Sequence, residues 1–282
     1  MRGVALLGTG HLGSGFAEGL LTRGGVELTV WNRTRSKAEP FGSRGARVAD
    51  SPADAVRGAE LVHLVLLDDA TVDATVAAIR PALQAKAIII DHTTNSPART
   101  AERSHTLASA GVAYLHAPVF MSPAAARDAQ GIMMVAGSRE LFARVEGALR
   151  AMTGDLWYVG ERPDLAAAYK LFGNAMILTV AAGLADVFHM ADGLGVPRAD
   201  AFGVFNHLKV EGGMSVRGTK IVQENYDATF TLETARKDAR LMLEAAGSES
   251  VPMLTALAAR MDDVIAKGLG GLDMAVLAKR GV

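Results

Sequence analysis

An α/β fold, a doubly wound sheet followed by an all-helical part, is what the sequence predicts, on three observations. Over residues 1 to about 160, short β-branched runs alternate with helical stretches, the pattern of parallel βαβ units. The first junction carries Gly8-Thr9-Gly10-His11-Leu12-Gly13, glycines spaced GxGxxG between a strand and a helix. After Gly193 the strand signals vanish and the helical period takes over.

Taken in order, strands are expected at residues 4–7, 27–31, 61–67, 87–91, 112–116, 132–136 and 156–159, with helices between them at 11–23, 51–57, 70–83, 97–110 and 139–152. Gly15 and Gly19 continue a small-residue face on the first helix, which suits close packing on the sheet. Residues 163–192 then read as one long helix. Pro163 or Asp164 suits its first turn, Gly193, Gly195 and Pro197 supply the stop, and no proline interrupts it. Some thirty residues at ~1.5 Å rise make a rod of about 45 Å. It is apolar around most of its circumference and is therefore expected to be buried on nearly every side. Lys170 and Asn174, four residues apart, share a face, so that face is expected to line a cleft. Asn174, Asp186 and His189 interrupt the segment, which argues against a membrane span. Asp186 and His189 read as an interhelix or subunit contact. Further helices follow at 198–208, 214–223, 232–246, 252–267 and 273–279. The expected organisation is a dinucleotide-binding domain over residues 1–162, an interdomain helix over 163–192 and an all-helical domain over 193–282.

The composition narrows the function. Thirty acidic against 29 basic residues give a net charge of -1, with no electrostatic footprint for nucleic acid and no basic face for a membrane. The chain has no cysteine, which excludes disulfides, thiolate nucleophiles and zinc-thiolate sites. Its seven histidines show no paired metal-ligand spacing and read as structural or surface residues, so no metal is expected. The opening apolar run is too short for a signal peptide, and a soluble cytoplasmic protein is the expectation.

Gly8, Gly10, His11, Leu12 and Gly13 form the candidate phosphate turn. Glycine is needed there for a sharp turn, for backbone approach to a pyrophosphate and for close helix–strand packing, and the helix terminus offers amide donors and partial positive charge. At the end of the second strand, where an NAD-specific site would carry an acid, the chain reads Trp31-Asn32-Arg33-Thr34-Arg35-Ser36. Asn32 removes a repulsion, Arg33 and Thr34 are suited to a 2′-phosphate with Arg35 close behind, and the expected cofactor is NADPH. On the substrate side, residues 91–97 read Asp-His-Thr-Thr-Asn-Ser-Pro at the carboxyl edge of the sheet. Thr94 is the candidate contact to nicotinamide or substrate, and Ser96, before Pro97, reads as a helix N-cap. The next strand ends in an apolar loop, His116-Ala117-Pro118-Val119-Phe120-Met121-Ser122-Pro123.

The GxGxxG turn, the Asp-x-Thr-Thr-x-x-Pro loop at 91–97, the Ala-Pro-Val step at 117–119, the Lys170-xxx-Asn174 pair, Lys237-Asp238 and the ending Gly268-Leu-Gly270-Gly271-Leu-Asp273 together resemble the β-hydroxyacid dehydrogenase family, relatives of 6-phosphogluconate and 3-hydroxyisobutyrate dehydrogenases. The resemblance spans the chain. It implies an amino-terminal Rossmann domain, a long interdomain helix, an all-helical domain that makes dimers or tetramers, and a cleft between domains. It also implies that Lys170 is the catalytic lysine, Asn174 its substrate-orienting partner, and Lys237 a residue near the cofactor. One departure stands out. Where the family has Ser-Gly-Gly as a carboxylate cradle, this chain has Phe120, Met121 and Ser122, which become the candidate substrate contacts. That apolar loop is similar to the imine reductases, which usually lack the lysine.

The reading is an NADPH-dependent oxidoreductase acting on a small aldehyde, ketone or β-hydroxyacid, semialdehyde or glyoxylate-like, with Lys170 as general acid in reduction and general base in oxidation. Two readings compete with it: an imine reductase on the same fold, and a catalytically silent NADP-binding scaffold. A small-molecule substrate and a homodimer or homotetramer are the expected partners, with no nucleic acid or membrane.

Overall fold

The computed structural model describes residues 2–282 and divides into two compact units, one ending at Asn174 and one spanning Ala175–Val282. The first unit is built on a nine-stranded sheet. Its strands are β1 (Arg2–Leu7), β2 (Val26–Trp31), β3 (Arg47–Val48), β4 (Leu61–Leu64), β5 (Ile88–Asp91), β6 (Ala113–His116), β7 (Val119–Phe120), β8 (Ile132–Ala136) and β9 (Asp155–Gly160). They run in the order β3-β2-β1-β4-β5-β6-β8-β7, with β9 also on β8. From β3 to β6 every pairing is parallel. The purely parallel expectation fails beyond β6: β8 pairs with β6 and β7 in antiparallel fashion.

The period-2 alternation along the strands explains why both faces are covered. Val4, Leu6, Leu28, Val30, Ile88 and Ile90 point to one side, where they meet Phe16 and Leu20 of α1 (His11–Arg23) and Val145 and Leu149 of α6 (Arg139–Arg150). Ala5, Leu7, Val62, Leu64 and Ile89 point to the other, against Val56 just beyond α2 (Pro52–Ala55), Val72 and Ile79 of α3 (Asp69–Ile79), and Leu107 of α4 (Pro97–Ser109). Each fully buried aliphatic side chain contributes roughly 1.5–3 kcal/mol, so this two-sided core is the main stabilising term of the unit.

Several expected boundaries move. β4 stops at Leu64 rather than at 67, because Val65 still donates its amide to Leu7 but Leu67 turns outward and is 78% exposed. The loop expected at 119–122 contains the two-residue strand β7, followed by a short helix, α5 (Pro123–Arg127). The α3 helix ends at Ile79 and passes into a 3₁₀ turn at Arg80–Ala82, where Pro81 cannot continue the amide ladder.

The long helix, α7, runs Leu165–Gly193. The expectation that it is buried on nearly every side is not met in the single chain. Phe172, Ile177, Leu178 and Val180 are each more than half exposed, and only 6% of its most apolar window is buried. By length and composition alone this helix is apolar enough to cross a membrane. In the second unit α7 is joined by α8 (Arg198–Gly203), α9 (Val210–Val222), α10 (Leu232–Ala246) and α11 (Pro252–Val264). Their core gathers Leu232, Ala235, Ala239, Met261, Val264 and Val276. Asp186 and His189 serve as interhelix contacts: Asp186 Oδ2 accepts the Leu254 amide at 2.7 Å in the first turn of α11, and His189 Nδ1 donates to the Ser250 carbonyl at 2.6 Å.

Candidate functional site

The first unit carries a cavity of about 860 Å³ along the carboxyl ends of β1, β2, β4 and β5. Gly8, Gly10, His11, Leu12, Gly13, Asn32, Arg33, Thr34 and Thr94, all chosen from the sequence, line it together. The glycines of the turn have different reasons. A Cβ on Gly8, whose φ is +102°, would lie 2.1 Å from the Val65 carbonyl oxygen, and one on Gly13 would lie 1.9 Å from that of Gly8. Both are demanded by the fold itself. At Gly10 nothing lies within 4 Å of a Cβ. The fold leaves that space open above the amino end of α1, where Gly10 provides no side-chain cap for the first helical amides. An open cradle with amide donors suits a pyrophosphate, so the residues present fit a dinucleotide.

Asn32 does more than omit a charge. Its Oδ1 accepts the Thr9 amide at 3.0 Å and its Nδ2 donates to the Thr34 carbonyl at 2.9 Å, which fixes the glycine turn to the end of β2. Arg35 corrects the sequence reading: it pairs with Glu39 and Asp50 rather than turning to the cavity. Lys37, two residues further on, takes that place among the cavity-lining cations. Only the folded loop reveals this exchange, because Arg35 and Asp50 are fifteen residues apart.

A buried polar network holds the opposite wall. Asp91, fully buried at the end of β5, accepts from the Thr93 amide at 2.9 Å, Asn95 Nδ2 at 2.8 Å and the Tyr114 hydroxyl at 2.8 Å. Arg103 on α4, its side chain 4% exposed, reaches Asp73 at 2.6 Å and Asp69 at 2.7 Å on α3, and lies 3.9 Å from Asp91. Burial works against the Arg103 charge, but the Asp73 and Asp69 bonds hold the guanidinium above its ordinary range. The Ser96 amide donates to Asp69 Oδ2 at 2.8 Å. Ser96 occupies the N-cap position ahead of Pro97, but its side chain makes no capping bond, contrary to expectation.

Three of the histidines expected to be structural or surface residues are buried in the same wall. His92 Nδ1 sits 2.7 Å from the Ala117 carbonyl, which can only accept, so His92 donates there and its Nε2 receives the Nδ1 proton of His63 at 2.9 Å. His116 Nε2 donates to the Thr93 carbonyl at 2.9 Å. Burial lowers the pKa of all three, that of His92 to about 4, and they are neutral imidazoles. Their sequence separations gave no motif, and the one available sign was their position at strand ends.

On α7, Lys170 is half-buried and burial lowers its pKa, with no charged group adding to the shift. Its ammonium lies 4.0 Å from the centroid of the Phe120 ring. Asn174 stands one turn further along the same face and is partly buried. The other expected substrate residues are otherwise engaged: Met121 packs against Gly131, and Ser122 Oγ accepts the Ala125 amide at 3.1 Å as the cap of α5. Thr94 is exposed on the cavity wall. Lys237 lies on α10 in the second unit, exposed and paired with Asp238.

Comparison with known proteins gives this arrangement its family. Residues 3–160 match the NAD binding domain of 6-phosphogluconate dehydrogenase. The chain is 28% identical over 282 residues to the uncharacterized oxidoreductase YfjR of Bacillus subtilis, covering 98% of each. It is 29% identical over 277 residues to glyoxylate/succinic semialdehyde reductase 2 of Arabidopsis thaliana, covering 96% of this chain and 76% of that protein. An imine reductase from Myxococcus stipitatus, solved in complex with NADP+, has the same fold, with a TM-score of 0.91, 22% identity and 99% of both chains covered. The glycine turn, the strand order and the match over residues 3–160 lead to one conclusion: the chain belongs to the β-hydroxyacid dehydrogenase family of oxidoreductases and carries its NAD(P)-binding domain.

Proposed function

We propose that this protein is an NADPH-dependent reductase of small aldehydes or ketones, semialdehyde or glyoxylate-like, or the corresponding β-hydroxyacid dehydrogenase in reverse. The observation that carries the reading is Lys170: a half-buried ammonium, its pKa lowered by burial, sharing a helix face with Asn174. A lysine so placed protonates a developing alkoxide in reduction and removes the hydroxyl proton in oxidation. Asn174 orients the substrate by hydrogen bonds, which is catalysis by positioning. When bound, the reduced nicotinamide supplies the hydride. The 29% identity to glyoxylate/succinic semialdehyde reductase 2 supports this substrate class.

The NADPH preference rests on Arg33, Thr34 and Lys37 around the cavity and on Asn32 in place of an acid. His11 and Leu12 would supply amides to the pyrophosphate, and Thr94 would contact the nicotinamide end. Ser122, Phe120 and Met121 form the substrate-side loop. The apolar face of α7, with Phe172, Ile177, Leu178 and Val180, is covered by a second copy of the chain rather than by a membrane, because the same helix also carries Asn174, Asp186 and His189.

A second reading, imine reduction, is favoured by the apolar Phe120 at the loop and by the likeness to the Myxococcus fold. A panel of succinic semialdehyde, glyoxylate and a cyclic imine, followed by NADPH absorbance, separates the readings. Turnover of the carbonyls above the imine supports the proposal, turnover of the imine alone contradicts it, and tight cofactor binding without turnover leaves the silent scaffold.

A further inference from the structure

The proton donor proposed above has a partner that the sequence does not reveal. The Phe120 ring face lies 4.0 Å from Lys170 Nζ, well inside the range at which a cation is drawn to an aromatic face. Phe120 is fixed from behind: β7 pairs it with Ile132 of β8, and its ring packs with Leu165 and Tyr169 on Met134, Ala136 and Ala166. Gly173, one turn after Lys170 on the same helix, completes the arrangement. A Cβ there would lie 2.2 Å from Phe120 Cζ and 2.8 Å from Cε1. Gly173 has ordinary helical geometry, and a mid-helix glycine is destabilising relative to alanine, so backbone conformation gives no reason for it. The ring does.

We infer that Phe120 is a positioning residue for Lys170, its ring face holding the ammonium at a fixed point on α7, and that Gly173 is the vacancy that lets the ring sit there. This rests on the reading of Lys170 as proton donor and moves Phe120 from a substrate wall to a role exerted through the lysine. Burial by the ring disfavours the charged lysine, whereas the ring's electrostatic face favours it, so the two effects of Phe120 oppose each other. Other ionisable groups nearby are otherwise occupied. β7 and β8 carry no titratable side chain, Tyr158 of β9 donates to the Gly137 carbonyl, Tyr169 packs on Trp157 and Phe172, and Arg162 and Asp164 pair with each other.

The test is a titration of Lys170 by side-chain NMR of the lysine-labelled protein, with the signal assigned by its loss in Lys170→Arg. Phe120→Leu keeps the apolar volume but removes the aromatic face, and is expected to lower the Lys170 midpoint by about half to one and a half pH units. Phe120→Tyr, which keeps the face, is expected to titrate like wild type. Gly173→Ala displaces the ring without touching the lysine and so removes face and burial together, and is expected to move the midpoint less than Phe120→Leu. Unchanged midpoints in both Phe120→Leu and Gly173→Ala overturn the inference. A Lys170→Ala enzyme that keeps its turnover overturns the proton-donor reading instead, and the titration distinguishes the two failures because it needs no activity.

Discussion

Asn32 Oδ1 accepts the backbone amide of Thr9 at 3.0 Å, so the residue that stands where an NAD-specific site carries its acid also holds the phosphate turn. An aspartate at this position keeps the acceptor but adds a negative charge at the corner proposed for the 2′-phosphate. Asn32→Asp is therefore expected to lower kcat/KM for NADPH tenfold or more, on the order of 1.4 kcal/mol, while leaving NADH within a few-fold. Steady-state kinetics with both coenzymes check this, and an equal loss for both would show that Asn32 acts on the turn alone.

Arg103 bridges Asp69, Asp73 and Asp91 at the wall that carries Thr93 and Thr94, with Arg99 as a second cation on Asp73. Its removal leaves the fully buried Asp91 without its nearby cation and Asp69 without its ion pair, and breaking a buried pair typically costs about 3–5 kcal/mol. Arg103→Met is expected to lower the urea midpoint accordingly. Arg103→Lys is expected to recover less than half of the loss, since an ammonium cannot fork to Asp69 and Asp73 together.

His63, His92 and His116 give the fold an acid weakness of predictable sign. Their folded pKa values lie below the ordinary histidine value of 6.5, that of His92 at about 4. Between those values the unfolded chain binds more protons than the native one, so stability rises with pH and is lost as pH falls from 6.5 toward 4. The slope is on the order of 1 kcal/mol per pH unit for each histidine. Urea unfolding between pH 7 and 5 is the measurement, and a flat profile would contradict the neutral network. Asp273 adds a second, more acid step. Burial raises its pKa, but bonds from Thr229 and Ala275 outweigh that and bring it down to about 2, so its stabilisation is present above pH 3.8 and is lost as the pH falls through 2.

The exposed apolar stripe on α7 predicts association. Ile177→Glu with Val180→Glu puts two charges on that face without touching the cavity residues. Sedimentation is expected to show a dimer for the parent chain and a monomer for the double variant. A monomeric parent chain would contradict the homodimer.

Much of this was legible in the sequence because it is local. The first helix, expected at 11–23, is His11–Arg23, and the long helix, expected at 163–192, is Leu165–Gly193, since caps, glycines and periodicity act within a few residues. The cavity-lining glycines and the Asn32-Arg33-Thr34 corner were legible for the same reason. What escaped was joined across distance. The two-residue strand β7 exists only because Val119 and Phe120 find Met133 and Ile132, and no pattern two residues long announces a strand. Arg103 meets Asp69 and Asp73 across about thirty residues, and His63 meets His92 across 29. The exposure of α7 is not legible in the sequence because apolar composition does not say whether a helix is covered by its own chain. Phe120 was identified by its departure from the family pattern, but its contact with Lys170 required the fold.

The central claim, that Lys170 moves the proton, is tested most directly by single-turnover reduction of succinic semialdehyde with NADPH by Lys170→Ala against wild type at saturating cofactor. The account predicts a rate about 10²- to 10⁴-fold lower with cofactor binding retained, and a rate within tenfold of wild type would contradict it.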